Sequence, residues 1–330
     1  MDDLYLKILK EGYDVKLYGG KRTRTGFVCK TDKGMKEVRK CGNDILRLSV
    51  EGKLREHMKN KGFNISTFEE SQSGDMFYEF NGTKYVLEES IQGEELDFSN
   101  YEGALLGAKS LALFHNCAEG FCSDIMKNDA YKIPDTFLKR YSELKRIRRR
   151  IKESRKYSPI DMIVVKNFDM VSEMVDMSLD ILKKYNYDDL KEEYKKRNTV
   201  CHNAYKGDNV RLLDNGDITV TNIDRCTYNF TVKDLSDFII RLIKSEVFSK
   251  DQILTILAEY EKVRNIEEKE RYILKAFLIF PHKFLSICNE YYNKRSVCIS
   301  DAMLERFEKS AIMLKNNMEF AKNLWKNIEG

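Results

Sequence analysis

With 57 lysines and arginines against 53 aspartates and glutamates, the 330-residue chain carries a net charge of only +4, which gives no case for nucleic acid as a general partner. Hydrophobic residues at 42% and charged residues at 33% exclude a disordered chain and allow one large domain or two modest ones around a sizeable core. The opening MDDLYLKILK has two acids where a secretory signal would have lysines, and the most apolar later run, AFLIF at 276–280, is far too short to cross a bilayer. A protein made in the cytoplasm, with no membrane span, is expected.

In chain order, YDVKLYGG, TGFVCKTDKG and MKEVRKCG read as short strands punctuated by glycine, an antiparallel meander. DILRLSVEGKLREHMKNKGF then has apolar residues at Ile45, Leu46, Leu48, Leu54 and Met58 and a closing Gly62, the spacing of a helix with a glycine stop. DMFYEFNGTKYVLEE gives two strands about Asn81-Gly82, a pair that tolerates the positive φ of a tight hairpin. After IQGEELDFSN the character changes: from residue 101 onward nearly every segment has helical period, interrupted by one β region, NVRLLDNGDITVTNID at 209–224. The expected plan is an α+β lobe over residues 1–90 and a mostly helical lobe over 91–330.

Eight cysteines include no C-x-x-C pair, and with only four histidines in the chain nothing completes Cys117 and Cys122 into a zinc set. They read as reduced thiols, several of them buried.

The chemistry-bearing stretch is CHNAYKGDNV at 201–210. Kinases use a histidine-headed loop to supply an aspartate that orients the substrate hydroxyl, an asparagine five residues later to hold magnesium, and a hairpin leading to a second, metal-binding aspartate. Here the frame is His202, Ala204, Asn209, an Asn215-Gly216 turn, and then ITVTNID.

This arrangement resembles the aminoglycoside phosphotransferase and choline kinase group, and within it the spore-coat, CotS-type, kinase-like family. TDKGMKEVRK resembles that family's third-strand lysine region, and ESIQGEE its interlobe segment. LALFHNCAEGF, KDLSDFI and FLIFPHKFLSICNEYY resemble its large-lobe helices, and the pieces occur in the family's order. The resemblance implies a protein-kinase-like bilobal fold, with a small β-rich N-lobe and a large, mostly helical C-lobe.

The chain departs from the family pattern where phosphoryl transfer is done. Ala204 stands at the loop aspartate, Asn222 at the metal-ligand aspartate, and Arg39, with Lys40 beside it, at the third-strand lysine. Loss of a positioned base costs about 10²–10⁴ in rate, a neutral amide holds magnesium less well than a carboxylate, and a planar guanidinium does not replace a compact ammonium. The resemblance therefore implies no catalytic residues, and a vestigial nucleotide and metal site made of Arg39, Lys40, Glu56, Asn209 and Asn222.

Two rescues are weighed against this. Asp224, two residues after Asn222, would share its face on a strand and reach a metal together with Asn209; in the family pattern it matches a second, non-ligand aspartate. Asp208 lies four positions beyond the required base and reads as a cap or a solvated charge. Glu51 and Glu56 lie on the helix that would partner the third-strand cation, and a surface role is expected for at least one.

The implied function is that of a spore-coat pseudokinase acting as a structural or interaction protein. It would require no cofactor, would bind ATP and magnesium weakly if at all, and would have other spore-coat proteins as partners. It would be made in the cytoplasm and then located in the coat. The alternatives are an active small-molecule phosphotransferase using ATP and magnesium, and a nucleotide-binding regulator without turnover. Three features have plainer readings. Gly19-Gly20, followed by Lys21, Arg22 and Arg24, lacks the spaced pattern of a phosphate clamp and reads as a turn. KRYSELKRIRRRIKESRK at 139–156 reads either as a docking surface for an acidic partner or a polyanion, or as a solvated helix face with Glu143 and Glu153 as internal partners. His115 and His282 read as packing residues.

Overall fold

The computed structural model describes residues 3–23, 26–42, 44–293 and 300–324. It divides into two compact units, one formed by Met1–Lys127, Asn198–Tyr228 and Lys262–Arg264, the other by Asn128–Arg197, Asn229–Glu261 and Asn265–Gly330. This division by compactness differs from the expected change of secondary structure near residue 90, because it groups the segments at 91–127 and 198–228 with the sheet.

In the first unit, α1 (Asp3–Lys7) runs into a π-helical turn at Ile8–Gly12, and a five-stranded sheet follows. Its strands are β1 (Leu17–Arg22), β2 (Gly26–Thr31), β3 (Gly34–Lys40), β4 (Tyr78–Phe80) and β5 (Thr83–Glu89), in the order β1-β2-β3-β5-β4 with every pair antiparallel. Strand alternation gives the sheet two faces. Val38, Tyr85 and Leu87 pack with Ile8, Leu9, Tyr13 and Phe27 on one, and Val86 packs with Cys41 and Leu48 on the other.

Leu48 belongs to α2 (Ile45–Asn60), which begins where the Asp44 side chain accepts from the Arg47 N–H at 3.1 Å. The helix stops at Gly62, whose φ of +83° suits a residue without a Cβ. The Asn81-Gly82 hairpin forms with φ of +51° and +72°, as its sequence predicts.

The remaining elements of this unit are β6 (Glu94–Glu95), α3 (Tyr101–Ala118), β7 (Val200–Cys201), β8 (Val210–Leu212), β9 (Ile218–Val220) and β10 (Thr227–Tyr228). β6, β8 and β9 form a three-stranded sheet, and β7 pairs with β10. The expected β region at 209–224 is thus the β8–β9 hairpin. β6, β7 and β10 have no counterpart in the sequence reading because two-residue strands show no alternation.

The second unit is helical throughout its described residues: α4 (Ile133–Glu153), α5 (Pro159–Lys184), α6 (Tyr187–Arg197), α7 (Thr231–Ser245), α8 (Lys250–Val263), α9 (Glu268–Ile279), α10 (His282–Tyr292) and α11 (Asp301–Asn323). α5 packs against α4, α9 and α11, and α9 also packs against α7. Ser158 and Asp161 form a reciprocal capping box at the start of α5. His282 lies in this core with its ring against Phe137 and Phe280, and burial, then Lys233 and Arg140, hold its imidazole well below the usual histidine range. It is a neutral packing residue, as its sequence context suggests.

Candidate active site

Every position at which the sequence departs from the kinase pattern falls in the first unit. Arg39 lies on β3, and alternation turns it toward α2 while the exposed Lys40 faces the other way. Its Nη2 donates to Glu51 Oε1 at 2.7 Å and its Nε to Glu88 Oε1 at 3.3 Å. Arg55, one helical turn after Glu51, donates to the same Glu51 oxygen at 2.9 Å and to Glu88 Oε2 at 2.7 Å. Ser66 completes the set, its hydroxyl donating to Glu88 Oε2 at 2.6 Å. Both guanidinium groups also lie over the Phe68 ring, at 5.5 Å for Arg39 and 4.7 Å for Arg55.

Two cations and two anions thus alternate around one buried ring of contacts. Burial alone would raise the Glu88 carboxyl, but Arg55 and then Arg39 hold it below the usual carboxylate range. Burial would likewise lower Arg39, and Glu51 and Glu88 reverse this, so its charge is fixed. Glu56, the partner expected from sequence, is exposed on α2. Five residues from Glu51 is roughly 140° around a helix, so the two cannot share a face. The signal that selects Glu51 was present: its helical neighbours Leu48, Leu54 and Met58 are buried, which puts it on the apolar stripe. Arg55, Glu88 and Ser66 were missed altogether.

The loop at 201–210 is held to its surroundings by a set of hydrogen bonds. Fully buried His202 accepts from the Ala204 N–H through Nδ1 at 3.2 Å, so Nε2 carries the proton donated to the Thr221 carbonyl at 3.0 Å. Asn203, at φ +60°, donates to the Arg225 carbonyl at 3.0 Å and the Thr227 hydroxyl at 2.9 Å. The Tyr205 hydroxyl donates to the Gly107 carbonyl at 2.6 Å. Loop and hairpin are further joined by the Thr221 N–H, which donates to the Asn209 carbonyl at 2.8 Å.

At the two positions expected to hold a metal, two amides face each other. Asn222 Nδ2 donates to Asn209 Oδ1 at 2.7 Å, and Asn209 Nδ2 donates to the Ala204 carbonyl at 2.8 Å. With aspartate at 222 and Asn209 kept in this orientation by its bond to the Ala204 carbonyl, two oxygens would face each other across this gap, a repulsion that a cation between them would relieve. The Asn222 amide places an N–H there instead. Asn222 itself is left-handed, at φ +57° and ψ +48°, a conformation that asparagine tolerates better than most residues.

Asp224 is not on a strand. β9 ends at Val220, and Ile223–Arg225 form a 3₁₀ turn, so the premise that Asp224 shares a strand face with Asn222 fails. Its carbonyl accepts from Arg47 Nε at 2.6 Å and its carboxylate lies 3.8 Å from Arg47 Nη2. Asp208 is paired with Lys206 at 2.6 Å. Residues 204, 209 and 222 offer no carboxylate, and these two neighbouring acids are paired with cations. The donor set at the expected positions lacks the unpaired carboxylate oxygen that magnesium prefers.

A cavity of about 260 Å³ is lined by Arg39, Arg55, Glu88, Arg211, Asp208 and Asn222, among others. Each arginine in its wall is ion-paired, Arg211 with Glu95 at 3.1 Å. Glu37 and Glu89 also line it, so acids outnumber bases and a polyphosphate meets no uncommitted arginine there. Gly19 and Gly20 lie within β1 rather than in the turn expected for them. A Cβ on Gly20 would come within 2.5 Å of the Phe27 ring, so close packing accounts for that glycine. Arg24 lies outside the described residues.

The family model described as "Spore coat putative kinase YutH" matches residues 11–324. The chain belongs to this family. It is also similar to spore coat protein S of Bacillus subtilis (strain 168), at 22% identity over 292 residues, covering 87% of this chain and 82% of that one. Among solved structures it resembles an aminoglycoside phosphotransferase from Alicyclobacillus acidocaldarius, with a TM-score of 0.81, 18% identity, and coverage of 96% of this chain and 94% of that one. Spectinomycin phosphotransferase APH(9)-Ia, in complex with ADP and spectinomycin, follows with a TM-score of 0.60, 16% identity and 97% coverage of both. These likenesses establish the expected aminoglycoside-phosphotransferase-like kinase fold, an antiparallel sheet followed by a mostly helical region. Among the described residues no helix is long and apolar enough to cross a membrane.

Proposed function

We propose that this member of the family is a coat-associated pseudokinase, a kinase-fold protein that acts by interaction and not by phosphoryl transfer. The observation that carries the reading is the hydrogen bond from Asn222 to Asn209, which ties to each other the two side chains that a kinase directs at magnesium, beside Ala204, which has no carboxylate to offer a substrate hydroxyl. The paired state of Arg39 supports it, since the third-strand cation is committed to Glu51 and Glu88. Family membership and the similarity to spore coat protein S support a place in the spore coat after synthesis in the cytoplasm, with other coat proteins as partners.

Calorimetric titration of ATP with and without magnesium, alongside transfer of labelled phosphate to aminoglycosides, choline analogues and sugars, tests the reading. No transfer above background and no magnesium-dependent binding are expected. Substrate-dependent transfer that disappears in Asn209→Ala would overturn it.

A further inference from the structure

The basic run at 139–156 holds ten lysines and arginines against Glu143 and Glu153, so this segment alone carries +8 in a chain whose total is +4. The rest of the molecule is therefore net acidic, and eight of the ten basic residues of the run lie on one helix, α4. In α4 the apolar residues Phe137, Tyr141, Leu144, Ile147 and Ile151 are buried, which turns Lys145, Arg146, Arg149, Arg150 and Lys152 to solvent. None of these five has a carboxylate partner among the described residues. The neighbouring Arg148 differs, being paired with Asp169 at 3.5 Å.

A protein with such a face at random would scatter acids through it to relieve the repulsion between like charges three and four residues apart. Here relief comes from two glutamates in the run and from Asp169 opposite Arg148, and each of the two glutamates lines one of two depressions flanking the helix. One, of about 530 Å³, is lined by Glu143, Arg146, Arg149 and Arg150. The other, of about 520 Å³, includes Lys145, Arg148, Arg149 and Glu153 over the rings of Tyr141 and Phe168. In that second depression Arg148 lies 3.8 Å from the centre of the Phe168 ring and Lys145 lies 4.2 Å from that of Tyr141. Cations held against aromatic faces are placed in advance and lose less freedom when an anion arrives.

We infer that the exposed face of α4 docks an acidic segment of a partner protein, its carboxylates bridging Arg146, Arg149 and Arg150 from one depression to the other. Guanidinium groups pair carboxylates in a bidentate fork, which suits arginine at the centre of the face. A nucleic acid is the poorer fit. Its evenly charged backbone would have to pass over Glu143 and Glu153 and approach a molecule that is otherwise acidic, whereas a peptide can place a neutral residue opposite each glutamate. The inference is independent of the nucleotide-site reading, because α4 belongs to the other compact unit.

The test is fluorescence anisotropy of a short, labelled, glutamate-rich peptide on the full chain, in parallel with an oligonucleotide and a lysine-rich peptide. The glutamate-rich peptide is expected to bind and to weaken as salt is raised. Arg146→Gln, Arg149→Gln and Arg150→Gln combined are expected to weaken it by roughly ten-fold, each exposed pair being worth a fraction of a kcal/mol. Thermal melting of the triple variant controls for folding, and Lys139→Gln with Ser142→Ala, outside both depressions, should leave binding unchanged. Three results would overturn the inference: no binding of the acidic peptide at low salt, binding insensitive to the triple variant, or tighter binding of the oligonucleotide. Self-association abolished by the same variants would assign the face to a second copy of the chain and also overturn it.

Discussion

The ring of Arg39, Glu51, Arg55 and Glu88 and the chain of Ala204, Asn209 and Asn222 both border one cavity, and they treat charge in opposite ways. In the first, the third-strand cation and its helix glutamate are present, and Arg55 and Glu88 balance them. In the second, the carboxylates of the family pattern are replaced by a methyl group and an amide. The difference follows from where each charge finds its counter-charge. A lysine–glutamate pair is internally neutral and can be reinforced by residues of the same chain. Loop and strand carboxylates depend on a cation from outside, and an amide that hydrogen-bonds its neighbour removes that dependence. In both regions the named polar groups are paired with one another without a ligand.

The comparison can be broken most forcefully at Glu88. Removing it in Glu88→Ala leaves two guanidinium groups facing a single carboxylate in a buried setting, and the cost should be about 3–5 kcal/mol in urea unfolding. Its pH dependence sharpens the point. Because the Glu88 carboxyl is held below the usual range, its contribution is present in full above the unfolded-chain value near ~4.3 and is lost as pH falls through the lower folded value. The stability gap between the native chain and Glu88→Ala should therefore narrow below about pH 4. A gap that stays constant into acid would mean the ring is not held by ionised Glu88.

A smaller effect is expected in the amide chain. Asn222→Gly keeps the left-handed backbone available but leaves Asn209 Oδ1 without its donor, and should cost about 1 kcal/mol. A loss as large as that of Glu88→Ala would show that the amides carry more of the fold than one neutral hydrogen bond can. The smallest effect belongs to Glu56→Ala. Exposed and off the apolar stripe, it should change unfolding by less than about 0.5 kcal/mol, and a larger loss would restore it as a partner of the third-strand cation.

Much of this was legible in the residues. Asn81-Gly82 and Asn215-Gly216 announced their hairpins, and the spacing of Leu48, Leu54 and Met58 announced α2. The order His202, Ala204, Asn209, Asn222 fixed where the loop and metal strand would meet. The partners were not legible, because they come from elements remote in sequence. Glu88 on β5 reaches Arg55 on α2 only once the sheet is paired, and Ser66 arrives from a segment with no regular structure. The rescue through Asp224 rests on strand alternation continuing past Val220, and it fails where the chain turns left-handed at Asn222, in keeping with the non-ligand aspartate of the family pattern. Glu56 misled because the helix period was used to find α2 but not to choose between its two glutamates.

The central claim is that the Asn222 amide stands in place of a cation, and thermal melting of the native chain and Asn222→Asp, each with chelator, with magnesium, and with magnesium and ATP, tests it most directly. With chelator, Asn222→Asp should melt lower, by roughly 2–4 °C for each kcal/mol that the facing oxygens cost. Magnesium should recover that loss in the variant and leave the native chain unmoved. A native chain stabilised by magnesium and ATP as strongly as Asn222→Asp would contradict the account, since it would place a working metal site where two amides are hydrogen-bonded to each other.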